Sequence, residues 1–177
     1  MAFGLFKKGK LLHEKANMLV KDAKTNSVTM YMPFLNKFSV LREVDVEHWD
    51  FILTVAGVFI AANRLNNLRL GNRREEKLME IVAEDLDKWD SDGIPAFEHC
   101  KKFFASECER LAAAGYDPQF LTIDVLGAWI TLNLLGRPPR IDEEYKLIRP
   151  VGLMVTQAFF SYWETGKTEL SHNCSRS

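Results

Sequence analysis

The stretch Asp50 to Leu65, DFILTVAGVFIAANRL, carries no charge between its first residue and Arg64. A helix of this composition must be covered on every side, by a bilayer, by its own protein or by a partner. Its unbroken apolar run lasts about a dozen residues, whereas a helix crossing hydrocarbon needs about 20. The comparable run Ile123 to Leu135 is interrupted by Asp124, Thr131 and Asn133. Both read as core helices, and the fold is constrained by the need to wrap them.

Helix punctuation supplies much of the wrapping. Asp45 is placed to cap a helix through Trp49 and Leu65, with Gly71 closing it in a left-handed conformation. Asn72 and Glu75 have the spacing of a capping box. Behind them Leu78, Ile81, Val82, Leu86 and Trp89 form one stripe at three- and four-residue steps. DSDGIP breaks that pattern, with Pro95 suited to a first helical turn. Phe97, Cys100, Phe104, Cys108 and Leu111 then make a second stripe ending at Gly115. Asp117 followed by Pro118 reads as a cap and the first residue of a helix reaching Leu135, which GRPPR stops. Asp142, Glu143 and Glu144 suit the positive end of a last helix closing at Gly166. Pro150 is expected to kink or split it.

Two kinds of helix result. Those at 73–89 and 95–114 have one apolar and one charged face, while those at 46–69, 118–135 and 150–165 are apolar nearly all round. The predicted fold is all-α, a single-domain bundle of about six or seven helices with an irregular N-terminal arm. Either the apolar helices form a central layer, or a homodimer interface extends the core. Gly57 with Ala61, and Gly127 and Gly152, are positions where another backbone can approach closely. Residues 1–44 read as an amphipathic arm and loop, 45–166 as the helical core and 167–177 as a polar tail. In the arm, Leu5 to Ala23 has helical character and KTNS reads as a loop. VTMYMPFLNKF reads as extended up to Pro33 and helical beyond it.

The chain of 177 residues fits one domain, and a net charge of -1 provides no overall field to hold nucleic acid. The charge is unevenly spread: residues 1–24 hold six Lys against Glu14 and Asp22, so the remainder is acidic. Three Cys, at 100, 108 and 174, with no C-x-x-C pair, argue against a disulfide framework or a structural zinc site. Cys100 and Cys108 lie on an apolar stripe and read as buried thiols. The start MAFGLFKKGKLLHEK lacks the apolar run of a signal peptide, so a cytoplasmic location is expected.

Chemical motifs are few. Around Gly93 a calcium loop would need a carboxylate where Lys88 stands and a bidentate Glu where His99 stands, so that reading fails at both ends. No paired Glu-x-x-His motifs, phosphate-binding glycine loop, nucleophile elbow or His-Glu-x-x-His motif occurs, and no metal or cofactor is expected. Arg64, Arg69, Arg73 and Arg74 surround a helix junction, but Glu75, Glu76, Glu80 and Glu84 follow and would repel phosphate. No resemblance to a known family assigns any residue a role.

Asp124 is the most informative polar residue, because an ionised carboxylate in an apolar helix is costly unless paired. Arg64, Arg149 or a tryptophan indole are its expected partners. With Thr131, Asn133, Gln157 and Tyr162 it also forms the candidate set for a ligand pocket. The other candidates are in the arm: Phe3, Phe6, Met30, Met32 and Phe34, as adaptable partner-binding side chains. Residues 1–24 are expected to dock on an acidic surface rather than a bilayer, and to matter for association more than for folding. The sequence thus favours a non-enzymatic helical protein-binding or assembly module that associates as a homodimer. A small-molecule or enzymatic pocket around Asp124 is the alternative.

Overall fold

The computed structural model describes residues 2–65, 68 and 70–164, with side chains from Lys10 onward. Among these residues the chain forms α1 (Ala2–Lys37), a 3-10 turn (Ser39–Glu43), α2 (Val46–Leu65), α3 (Asn72–Trp89), α4 (Gly93–Ala113), α5 (Pro118–Leu135) and α6 (Asp142–Phe159). The all-α single domain is as expected. What is irregular before Asp45 is confined to the residues between α1 and α2. The polar tail and Gly166 lie outside the described residues.

The uncharged stretch fills the core. Thirteen of the residues of α2 are buried, among them Val55, Val58, Phe59 and Ile60, and α2 touches each of the other five helices. It begins where Asp45 accepts a hydrogen bond from the Glu47 amide (3.2 Å) while its own carbonyl takes the Trp49 amide (2.9 Å). The amphipathic helices α3 and α4 turn Leu78, Val82, Leu86 and Cys100 inward.

The amino-terminal segment departs from expectation. Helix α1 runs unbroken through KTNS and Pro33. Its hydroxyls are satisfied inside the helix: Thr25 Oγ1 donates to the Lys21 carbonyl at 2.9 Å and Thr29 Oγ1 to that of Thr25 at 2.7 Å. Ser27 Oγ lies 2.8 Å from the Lys24 carbonyl and 3.0 Å from Asp50 Oδ1. Residues that compete with a helix locally are thereby recruited into it. Leu12, Ala16, Leu19, Val20 and Ala23, at three- and four-residue steps, are buried in the core. The expectation that residues 1–24 serve association rather than folding is therefore corrected from Leu12 onward. Burying several large side chains stabilises at roughly 1.5–3 kcal/mol each.

Gly71 also differs from expectation. At φ 88° and ψ 141° it starts α3 rather than closing α2, and Glu75 Oε1 accepts the Leu70 amide (3.1 Å) instead of serving an Asn72 box.

Helices α5 and α6 meet backbone to backbone. A Cβ on Gly127 would lie 1.9 Å from the Ile148 carbonyl oxygen, and one on Gly152 would lie 2.0 Å from that of Ile123. Pro150, next to this contact, does not split α6. Among the described helices α5 is long and apolar enough to cross a membrane. Here its Val125, Leu126, Trp129 and Ile130 are buried in the bundle.

The α5–α6 turn is held by Glu144, a residue whose sequence signal was only its place at a helix start. Its carboxylate receives Arg137 Nη1 and Nη2 at 2.9 and 2.7 Å and the Arg140 amide at 2.6 Å. Gly136 provides the left-handed residue after α5, at φ 62°. The Arg137 contact, ahead of the Arg140 amide, holds the Glu144 carboxyl down to about 2, against an ordinary 4.5. A depressed folded-state value stabilises fully above the ordinary value and is lost as pH falls through the folded one. Thermal melts between pH 4.5 and 2 should therefore fall less steeply for Glu144→Gln than for the wild type. Parallel slopes would show that Glu144 does not govern this window.

Candidate functional site

Asp124 lies in the second turn of α5, where the turn after α4 brings Tyr116 beside it and α6 brings Arg149. Asp117 fixes the local geometry: its side chain accepts the Gln119 amide (2.9 Å) and Pro118 takes the first helical position. Gly115, at φ 77°, lets the chain turn so that Tyr116 faces α5. Arg149 Nε donates to Asp124 Oδ1 at 2.9 Å while Nη2 donates to Oδ2, a two-point pairing. The Tyr116 hydroxyl donates to the same Oδ2 and accepts from Arg149 Nη2 at 3.3 Å. The Arg149 guanidinium also lies over the Phe120 ring, 4.5 Å from its centre.

This arrangement fixes the electrostatics. Hydrogen bonding from Arg149, more than offsetting burial, holds the Asp124 carboxyl below the usual carboxylate range. The Tyr116 phenol is pushed up, first by its hydrogen bond to Asp124. Asp124 is thus an ionised carboxylate whose two oxygens are engaged, not a protonated acid. Arg149, one of the three partners anticipated from sequence, is the one selected. Above the cluster lies a cleft of about 470 Å³ between the end of α4, α5 and α6, whose lining includes Tyr116, Asp124, Tyr145 and Arg149.

The other pocket candidates do not join it. Thr131 is fully buried, and its Oγ1 meets no partner among the described residues. Asn133 Nδ2 donates to the Trp129 carbonyl at 2.7 Å, and the Asn133 carbonyl lies 2.9 Å from His48 Nε2. Gln157 is exposed on the outer side of α6. The Tyr162 hydroxyl lies 2.9 Å from both the Lys15 carbonyl and Asp22 Oδ2. Burial, then Asp22, raises its phenol well above the ordinary value. With Trp163, whose indole donates to the Ala61 carbonyl at 2.6 Å, it ties the end of the described chain to α1 and α2.

The arm candidates also separate. Phe34 packs on Phe38 and Trp49 with ring centres 5.7 Å apart in each case, and Met30 is half-buried against the core. Met32 is 56% exposed. The side chains of Phe3 and Phe6 lie outside the described residues. Cys100 is buried as expected, with its thiol pushed well up by burial, whereas Cys108 is only half-buried, contrary to expectation, and its thiol is raised by burial and then by Glu107. Among the described residues no three His, Cys, Asp or Glu side chains converge as metal ligands.

Sequence reasoning missed a row on the outer face of α6. Tyr145 (56% exposed), Arg149, Leu153 (38%), Gln157 and Phe160 (43%) follow one another at steps of four, four, four and three. Phe160 keeps helical φ and ψ of -58° and -40° at the C-cap, so it stays in register. Arg64 of α2 stacks on its ring at 3.7 Å. The available signal was that the segment after Pro150 is apolar on more sides than a bundle of this size covers.

The chain matches no protein-family model, no curated protein and no solved structure. The functional reading therefore rests on geometry.

Proposed function

We propose that this chain is a non-enzymatic helical protein-binding module that associates with a second copy of itself. The observation that carries the reading is a contrast between the cluster joining α5 to α6 and the outer face of α6. The cluster around Asp124 is closed, since both carboxylate oxygens are engaged by Arg149 and Tyr116. The aromatic and aliphatic side chains of the outer row are open. Tyr, Phe and Arg grouped on a rigid helix face are the residue types that dominate binding energy at interfaces.

A small-molecule site is the second reading, and the cleft of about 470 Å³ beside Asp124 favours it. A ligand there would contact an ion pair already satisfied, so recognition would have to come from Tyr116, Tyr145 and the apolar wall.

Co-expression of tagged and untagged full-length chains tests self-association directly. The untagged chain is expected to remain with the tagged one through washing at high salt, because apolar contact contributes more than exposed charge pairs. Loss of the untagged chain at every salt concentration would remove the homodimer.

A further inference from the structure

We propose that the cleft between the end of α4, α5 and α6 binds a small organic anion, a carboxylate carried on a flat apolar body. The assignment rests on the small-molecule reading of this cleft, independently of self-association, and adds to it the charge and shape of the ligand. A volume of about 470 Å³ is that of a small-molecule site, mostly apolar with a few polar groups that fix orientation.

The walls have this composition. Leu111, Val125, Ala128 and Ile148 supply apolar surface, and Tyr116 and Tyr145 add two rings against which a flat body can pack. These groups recognise the body of the ligand, whereas its charge is decided elsewhere.

Five ionised side chains line the cleft, Glu107 and Asp124 against Arg110, Lys146 and Arg149, a balance of +1. Each carboxylate is taken by one guanidinium through the same two nitrogens. Arg149 gives Nε and Nη2 to Asp124, and Arg110 gives Nε and Nη2 to Glu107 at 3.0 and 2.7 Å. The third nitrogen of both, Nη1, meets no partner among the described residues, and Lys146 forms no ion pair among them. On the acidic side only Glu107 Oε1 is left without a donor there. Cationic donors of this kind take up a carboxylate through charge-assisted hydrogen bonds. A cationic ligand would find its two possible partners already engaged.

Neighbouring acids do not cancel this balance. Asp117 is committed to the Gln119 amide at the start of α5. Glu143 accepts from Ser39 on the side of the 3-10 turn, where it lines a separate cleft. Asp142, one turn before Lys146, is exposed and does not line the cleft.

The test uses naphthylacetate, with naphthylacetamide and naphthylethylamine as neutral and cationic analogues carrying the same ring. Each is titrated into the isotope-labelled full-length chain and followed by backbone amide chemical shifts. The acid is expected to move the amides of Tyr116, Ala128 and Tyr145. It should bind about 10-fold more tightly than the amide, the factor for one hydrogen bond to a charged group, with the amine weakest. Added salt should weaken the acid and leave the amide unchanged. Lys146→Met keeps the apolar stem of an exposed side chain and removes its charge, so the fold is retained. It is expected to remove most of the preference for the acid without altering the affinity of the amide. Acid and amide binding equally, or an acid preference that Lys146→Met does not reduce, overturns the charge assignment and leaves a small-molecule site. Shifts confined to other parts of the chain, or no binding by any of the three probes, overturn the cleft itself, whether the chain is monomeric or dimeric.

Discussion

Gly127→Ala is expected to lower the melting temperature by roughly 6–12 °C, the equivalent of about 3 kcal/mol in a domain of this size. The sign decides between two opposed effects. In an open helix the same change stabilises by about 1 kcal/mol, because alanine has the better propensity. Here the new methyl would lie 1.9 Å from the Ile148 oxygen and 2.8 Å from its carbonyl carbon. Both neighbours are backbone, so no rotamer change relieves the clash and α5 must move away from α6. Gly152→Ala meets the same obstacle from the other side, at 2.0 Å from the Ile123 oxygen. Once the helices have separated for one methyl the other has room, so the double variant should cost less than the sum of the two. Differential scanning calorimetry of the three variants checks this, and a Gly127→Ala protein melting at or above the wild type would refute the close contact.

Trp49→Ala is expected to cost about 3–5 kcal/mol in denaturant unfolding, as for a large aromatic removed from a core. The indole is fully buried between Tyr31 and Phe34 of α1, each ring centre 5.7 Å away, and donates to the Ser27 carbonyl at 2.9 Å. The substitution removes the side chain that joins α2 to the later half of α1. Trp49→Phe should cost less, because it keeps most of the aromatic packing and loses the hydrogen bond and part of the ring volume. A small cost for Trp49→Ala would mean that α1 is an accessory to the bundle instead of part of its core.

The features legible in the sequence were those decided locally. Asp45 and the Asp117–Pro118 pair start helices because a short polar side chain or a fixed φ acts within one turn. The uncharged run of α2 had to be buried on composition alone, and the lack of a Cβ at Gly127 and Gly152 signalled close approach before the partner was known. Features decided by distant packing were not legible. Residues 24–27, KTNS, have the composition of a loop, and the bonds that Trp49 and Asp50 on the neighbouring helix make to Ser27 help to hold them helical.

The candidate pocket failed as a set for a related reason. Asp124, Thr131, Asn133, Gln157 and Tyr162 share polarity in apolar surroundings, but sequence does not say that they face different elements. Asp124 was legible as a residue needing a partner. Which of the candidate partners it takes depends on Gly115 turning Tyr116 toward α5 and on the crossing of α5 with α6. The row on α6 was hidden because Tyr145 looks like an ordinary surface residue, and Arg149 and Gln157 read as companions of Asp124, until the covered face of the helix is known.

The central claim, that this chain functions by pairing with itself, is tested most directly by sedimentation equilibrium of the full-length protein over a wide concentration series. The account predicts a mass that rises with concentration from 20.3 kDa toward twice that value and fits a reversible monomer–dimer equilibrium. A single species of 20.3 kDa at every concentration would contradict it.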